Sequence, residues 1–115
     1  MIYRDRSGKE ITFEAAIKLA EGHRACEDMI ADLRAMGEAW QSHAKAPYWA
    51  YWYASEVLGG RWVEAEATIR TDPNWAYWYA RDVIKGRWPE AEGIIRTDPY
   101  CAYRYALDVI KGRWE

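Results

Sequence analysis

Between Ala50 and Ile110 the hydrophobic positions fall into three groups with one spacing. Ala50, Tyr53, Ala54, Val57 and Leu58 are matched by Ala76, Tyr79, Ala80, Val83 and Ile84, then by Ala102, Tyr105, Ala106, Val109 and Ile110. The intervals i, i+3, i+4, i+7, i+8 trace one face of an α-helix. A strand would keep every second residue instead. A second, shorter set follows in the first two groups: Trp62, Ala65 and Ile69, then Trp88, Ala91 and Ile95. Each group is therefore expected to fold as a helix hairpin.

The pattern is a sequence repeat of 26 residues, starting at Pro47, Pro73 and Pro99. PYWAYWYASEVLGGRWVEAEATIRTD and PNWAYWYARDVIKGRWPEAEGIIRTD agree at 18 of 26 positions, and PYCAYRYALDVIKGRWE agrees with the second unit at 12 of 17. Asp72-Pro73 and Asp98-Pro99 place a capping carboxylate before a proline at the first helical position. Gly60, Gly86 and Gly112 are expected to end the first helices at positive φ. Ala46 replaces the Asp in unit one, so that helix starts without such a cap. Pro89 suits the first turn of a second helix, with Glu64, Glu66, Glu90 and Glu92 at its positive end and Arg96 at its negative end. A hairpin of this size cannot bury both faces alone, so the expected class is all-α: a short α-hairpin solenoid, 47–115, of two full units and one truncated unit.

Residues 79–92, Tyr-Ala-Arg-Asp-Val-Ile-Lys-Gly-Arg-Trp-Pro-Glu-Ala-Glu, resemble a tandem helical repeat of uncharacterised phage and bacterial proteins. The resemblance covers 47–115; unit one departs from it at Gly59 and Val63, and unit three lacks the second helix. It implies a phage or mobile-element setting and no catalytic site.

Residues 1–46 do not follow the repeat and are expected to form an N-terminal helical cap. A short hairpin over 1–12 would turn at Ser7-Gly8. Thr12 suits a helix cap before Phe13 to Ala20, and Gly22 interrupts. A longer helix is expected from Arg24 to His43, with Cys26, Met29, Ile30, Leu33, Met36 and Trp40 at helical spacing and Gly37 weakening it.

Eight Trp and nine Tyr stand against one Phe. Trp and Tyr combine apolar bodies with polar tips, which suits a surface that is both greasy and wet, or a thin core filled by bulky side chains. Net charge is −2, and the charges are mixed in both parts of the chain, which argues against a basic nucleic-acid groove. No apolar run approaches the roughly 20 residues of a bilayer span, so no membrane association is expected. The N-terminus lacks the apolar stretch of a signal peptide, and Cys26 and Cys101 show no framework spacing, so a cytoplasmic protein with free thiols is expected.

Candidate chemistry is thin. His23 and Cys26 would meet on a helix, but neither Cys101 nor His43 supplies the second pair that a structural zinc site needs. No orienting group or oxyanion pocket is marked for a Cys-His nucleophile. No cofactor is expected. The Lys85-Gly86-Arg87 and Lys111-Gly112-Arg113 turns are basic, either as C-caps or as anion contacts. Arg61, Arg87 and Arg113 are expected to pair with Glu56, Asp82 or Asp108 in a structural ladder.

The informative positions are those that vary while the core holds. Tyr48, Trp52 and Ser55 become Asn74, Trp78 and Arg81, then Tyr100, Arg104 and Leu107, at i, i+4, i+7 on the outward side of each first helix. Such positions carry recognition in repeat proteins, unless Trp52 and Trp78 pack between units. The truncated third unit leaves an apolar face around Val109, Ile110 and Trp114, open to homodimer formation unless Trp114 folds back. These features point to a non-enzymatic protein-binding repeat module whose partner is a host or phage protein. In a phage it would inhibit a host enzyme or a defence complex of CRISPR type. The alternative is a nucleic-acid-associated module with Arg61, Arg81, Arg87, Arg96, Arg104, Lys111 and Arg113 on phosphates and Trp stacking on bases.

Overall fold

A computed structural model describes residues 1–112 and Trp114; Arg113 lies outside the described residues. The chain is mostly helical. It opens with a two-residue-strand hairpin, β1 (Tyr3–Arg4) antiparallel to β2 (Glu10–Ile11), with Tyr3 opposite Ile11. Gly8, at φ 90°, makes the turn, and the Asp5 carboxylate ties it by accepting from the Ser7 and Lys9 amides. Helix α1 (Phe13–Gly22) starts on Thr12, whose hydroxyl accepts from the Ala15 amide at 3.1 Å.

The single long helix expected from Arg24 to His43 is two pieces. Helix α2 (Glu27–Met36) ends at Gly37, φ 59°, and 37–42 continue as a 3-10 turn. Gly37 does more than weaken the helix. Its positive φ breaks the α ladder and re-aims Trp40 into the core, where it is 3% exposed. Cys26 precedes α2 and is exposed, so it takes no part in the buried face formed by Met29, Ile30 and Leu33.

The repeats then follow as pairs. Helix α3 (Ala46–Trp52) runs into a π-wound segment, Tyr53–Leu58, and is followed by a 3-10 turn (Val63–Ala65) and α4 (Glu66–Ile69). Helix α5 (Pro73–Tyr79) with its π segment Ala80–Ile84 is followed by α6 (Pro89–Ile95). Helix α7 (Pro99–Tyr105) with Ala106–Ile110 is the third. The Asp72 and Asp98 side chains accept from the amides two and three residues on, as Asp-Pro predicts, and α3 has no side-chain cap. Helices α3 and α4, and α5 and α6, pack within their units, and α3, α5 and α7 pack in sequence.

The C-caps differ from expectation by one residue. Positive φ falls on Gly59, Lys85 and Lys111, while Gly60, Gly86 and Gly112 follow in ordinary conformations. The reason is the hydrogen bonding: the amides of both cap residues converge on one carbonyl, that of Ala54, Ala80 or Ala106. That geometry requires the first of the two residues to be left-handed. The core runs unbroken from Tyr3 to Tyr105 and holds the shared helical face, with Ala50, Ala54, Ala76, Tyr79, Ala80 and Tyr105 at 0% exposure. None of the helices is long and apolar enough to cross a membrane among the described residues.

Candidate partner-binding surface

The outward surface is defined by what the inward one does. Arg61 donates from Nε and a terminal nitrogen to both oxygens of Glu66, each at 2.8 Å. Tyr79, from the next unit, donates to Glu66 Oε2 at 2.8 Å and accepts from the Trp62 amide at 2.7 Å. The arrangement recurs one repeat later. Arg87 grips Glu92 at 2.9 Å twice, and Tyr105 donates to Glu92 at 2.8 Å and accepts from the Trp88 amide at 2.7 Å. Each of these tyrosine rings also packs on a tryptophan with centroids 4.9 Å apart: Tyr53 on Trp62, Tyr79 on Trp88, Tyr105 on Trp114.

A second set of bonds links successive first helices. Tyr51 donates to Asp82 at 2.7 Å, and Tyr77 donates to Asp108. The aspartates expected to pair with Arg61 and Arg87 are thus taken by tyrosines, and the arginines turn to Glu66 and Glu92 in their own units. The short five-residue link and the turn after the first helix aim the guanidinium back along its own hairpin.

Electrostatics follow from burial. Desolvation, reinforced by Glu66, pushes the Tyr79 hydroxyl far above the ordinary tyrosine value, so it stays a protonated donor. Burial pushes Tyr105 up to about 12. The hydrogen bond from Arg87 holds Glu92 below the usual carboxylate range, and that from Tyr77 does the same for Asp108.

The varying positions are distributed unequally. In unit one, Tyr48 packs on Trp75 with centroids 4.8 Å apart, and Trp52 lines a small apolar cavity of about 40 Å³ against Tyr3, Phe13 and Met29. Both are half-buried, so the first unit offers little aromatic surface. In unit two, Asn74 and Trp78 are half-buried; Arg81 is exposed and lies 5.0 Å over the Trp78 ring. In unit three, Tyr100 is 67% exposed and Leu107 51%, whereas Arg104 is held at 2.9 Å by Asp108. The structure thus leaves Arg81, Tyr100 and Leu107 as the accessible part of the row, with Trp78 half-buried between Tyr77 and Arg81 and with Tyr48 and Trp52 drawn into packing.

The uncovered end is also redrawn. Trp114 folds back onto Tyr105 and under Arg96, whose guanidinium sits 4.2 Å from the ring, and Val109 and Ile110 are half-buried. In the third unit the exposed large apolar side chains among the described residues are Tyr100, Tyr103 and Leu107. Tyr103 escapes a reading of single units, because it matches Tyr51 and Tyr77, which are covered.

His23 and Cys26 are both exposed. Among the described residues, no three His, Cys, Asp or Glu side chains are grouped to hold a metal ion. The chain matches no protein-family model, and no curated protein or solved structure is detectably similar to it.

Proposed function

We propose that the chain is a protein-binding repeat module: a short α-hairpin solenoid, 47–115, closed at one end by residues 1–46 as its cap. It recognises a partner protein through the outward side of the second and third first-helices. The observation that carries this reading is a division of labour. Residues that hold unit to unit are the same in each repeat, while the accessible Arg81, Tyr100 and Leu107, with half-buried Trp78 beside them, stand at positions that differ between repeats and take no part in the tyrosine–carboxylate bonds. Exposed Trp, Tyr and Arg are the residue types that dominate interface energetics. With the phage and bacterial setting that the repeat resemblance implies, the partner is a host protein, and occupying a host enzyme or a defence complex is the mode of action.

Arginine usage favours a protein over a nucleic acid. Arg61, Arg87 and Arg104 are committed to Glu66, Glu92 and Asp108, and Arg96 lies over Trp114, so few of the cations expected to track phosphates are turned outward. The test is affinity capture from bacterial lysate with mass-spectrometric identification, using the native chain beside a Trp78→Ala/Arg81→Glu/Tyr100→Ala variant. A partner retained by the native chain and lost by the equally folded variant supports the reading. Retention of the same proteins by both would remove this surface from consideration.

A further inference from the structure

The seam between α3 and α5 and the seam between α5 and α7 are built alike and decorated differently. Each is bridged by a tyrosine–aspartate bond, Tyr51 to Asp82 at 2.7 Å in the first and Tyr77 to Asp108 in the second. Around the first bond the outward positions are Ser55 and Trp78; around the second the same two positions are Arg81 and Arg104. The Tyr77 bond, with Arg104 and Arg81 adding to it, holds the Asp108 carboxylate below its ordinary range, so both guanidinia lie within electrostatic reach of it.

Neither guanidinium is closed off. Arg61 and Arg87 each grip a glutamate with two nitrogens, at 2.8 Å and 2.9 Å. Arg104 meets Asp108 through one terminal nitrogen at 2.9 Å. Among the described residues Arg81 has no carboxylate within hydrogen-bonding distance: Oδ1 of Asp82 stands 3.9 Å from its Nε, while Oδ2 takes the Tyr51 hydroxyl. What holds Arg81 is an aromatic ledge. Its guanidinium lies 5.0 Å from the centroid of Trp78, and Trp78 packs on Tyr77 at 5.2 Å. An arginine held by its face keeps the N–H donors on its edge for a planar acceptor.

We propose that the second seam is a carboxylate-binding site and that the partner protein enters it with an acidic segment. One Asp or Glu side chain of that segment is taken by Arg81 on its Trp78 ledge, with Arg104 beside it. The assignment of an acidic segment rests on the outward row being a partner surface; the site itself does not. A carboxylate matches the planar fork of a guanidinium with two parallel N–H···O bonds. Asp82 and Asp108 partly offset the two cations, so the seam suits a single carboxylate rather than a run of phosphates.

The Nε resonances of Arg81 and Arg104 in the ¹⁵N-labelled full chain test this, followed while a short glutamate-rich peptide is titrated in. Both should shift saturably, ahead of the other arginines, and the glutamine counterpart of the peptide should leave them in place. Arg81→Gln should weaken the binding by about fivefold. Arg81→Lys, which keeps the charge and loses the fork, should recover only part of it. Both arginine side chains are partly exposed, so helicity by circular dichroism should be unchanged in these variants. Equal shifts with the glutamine peptide, undiminished binding by Arg81→Gln, or a single-stranded oligonucleotide that saturates the same resonances at lower concentration would each overturn the proposal. A partner captured from lysate without any response of Arg81 to the glutamate peptide overturns the acidic segment and leaves the row standing. A response to the peptide with no partner captured supports the carboxylate site and counts against the row.

Discussion

Replacing Tyr79 by Phe removes one oxygen and nothing else from a ring that is fully buried. That oxygen serves two groups. It donates to Glu66 at 2.8 Å, a carboxylate only 8% exposed, and it accepts from the Trp62 amide at 2.7 Å. A hydrogen bond to a charged acceptor contributes roughly 1.5–3 kcal/mol net, and an orphaned buried donor costs roughly 1–3 kcal/mol. Because one atom supplies both, the terms overlap, and the expected loss is about 3 kcal/mol. For a chain of this size each kcal/mol moves the melting midpoint by roughly 4 °C, so Tyr79→Phe should melt about 12 °C lower.

Tyr51→Phe is the internal control. Its hydroxyl donates to Asp82, which is half-buried and can turn to water once released, and its other neighbour is the Ser55 hydroxyl. No backbone amide is orphaned, so the expected loss is about 1 kcal/mol. Thermal denaturation followed by circular dichroism ranks the two, and a double-mutant cycle with Glu66→Gln isolates the Tyr79–Glu66 coupling. Should Tyr79→Phe prove no costlier than Tyr51→Phe, the doubly bonded hydroxyl is not what fixes the register of the hairpins.

Three further outcomes follow from the same geometry. Lys85 and Lys111 sit at φ 61° and 60°, a region that costs an ordinary residue roughly 1–2 kcal/mol, so Lys85→Gly should raise the urea midpoint by about 1 kcal/mol of stability. Glu92 and Asp108 titrate below their ordinary 4.5 and 3.8, so the unfolded chain takes up protons first as pH falls. Their contribution is complete above those ordinary values and drains away through the folded ones below; melting temperatures scanned into acid should fall in that window, and Glu92→Gln should flatten the fall. Cys26 is exposed, while Cys101 is 2% exposed with its thiol pushed up to about 11 by burial and the nearby Asp98; a thiol reagent should therefore label one cysteine in the native protein and two after denaturation.

Helix faces and caps were legible in the sequence because they rest on local chemistry. Asp72 and Asp98 cap where an Asp-Pro pair must, and the first positions of the i, i+3, i+4, i+7, i+8 groups in units one and two, Ala50, Tyr53 and Ala54 with Ala76, Tyr79 and Ala80, are buried while the last ones, Leu58 and Ile84, are partly covered. What depends on the relation between units was not legible. Arg61 has acidic candidates at 56, 64, 66 and 82, and sequence spacing does not say which the side chain meets. The left-handed residue falls on Lys85 rather than Gly86 because a shared carbonyl, and not glycine's freedom, sets the position. Burial of Trp52 was equally hidden, since the apolar wall it joins comes from Tyr3 and Phe13, some 40 residues earlier in a segment outside the repeat.

Duplication alone accounts for part of the exposed end. A copied unit brings its tyrosine along, so Tyr103 needs no explanation beyond its likeness to Tyr51 and Tyr77. Leu107 does need one. It replaces a serine and an arginine at an outward position, and covering the half of it that is exposed would return roughly 1 kcal/mol. A polar residue there would cost the monomer almost nothing, since surface substitutions away from structural bonds shift stability by about 0.5 kcal/mol or less. Substitution at 107 and 103 can therefore separate what this exposed surface does from what the fold needs. Arginine at 107 restores the second unit's surface character, and serine at 103 deletes a side chain whose counterparts hold the repeats together. Neither change touches the Tyr105–Glu92–Arg87 bonds on which the folded unit stands.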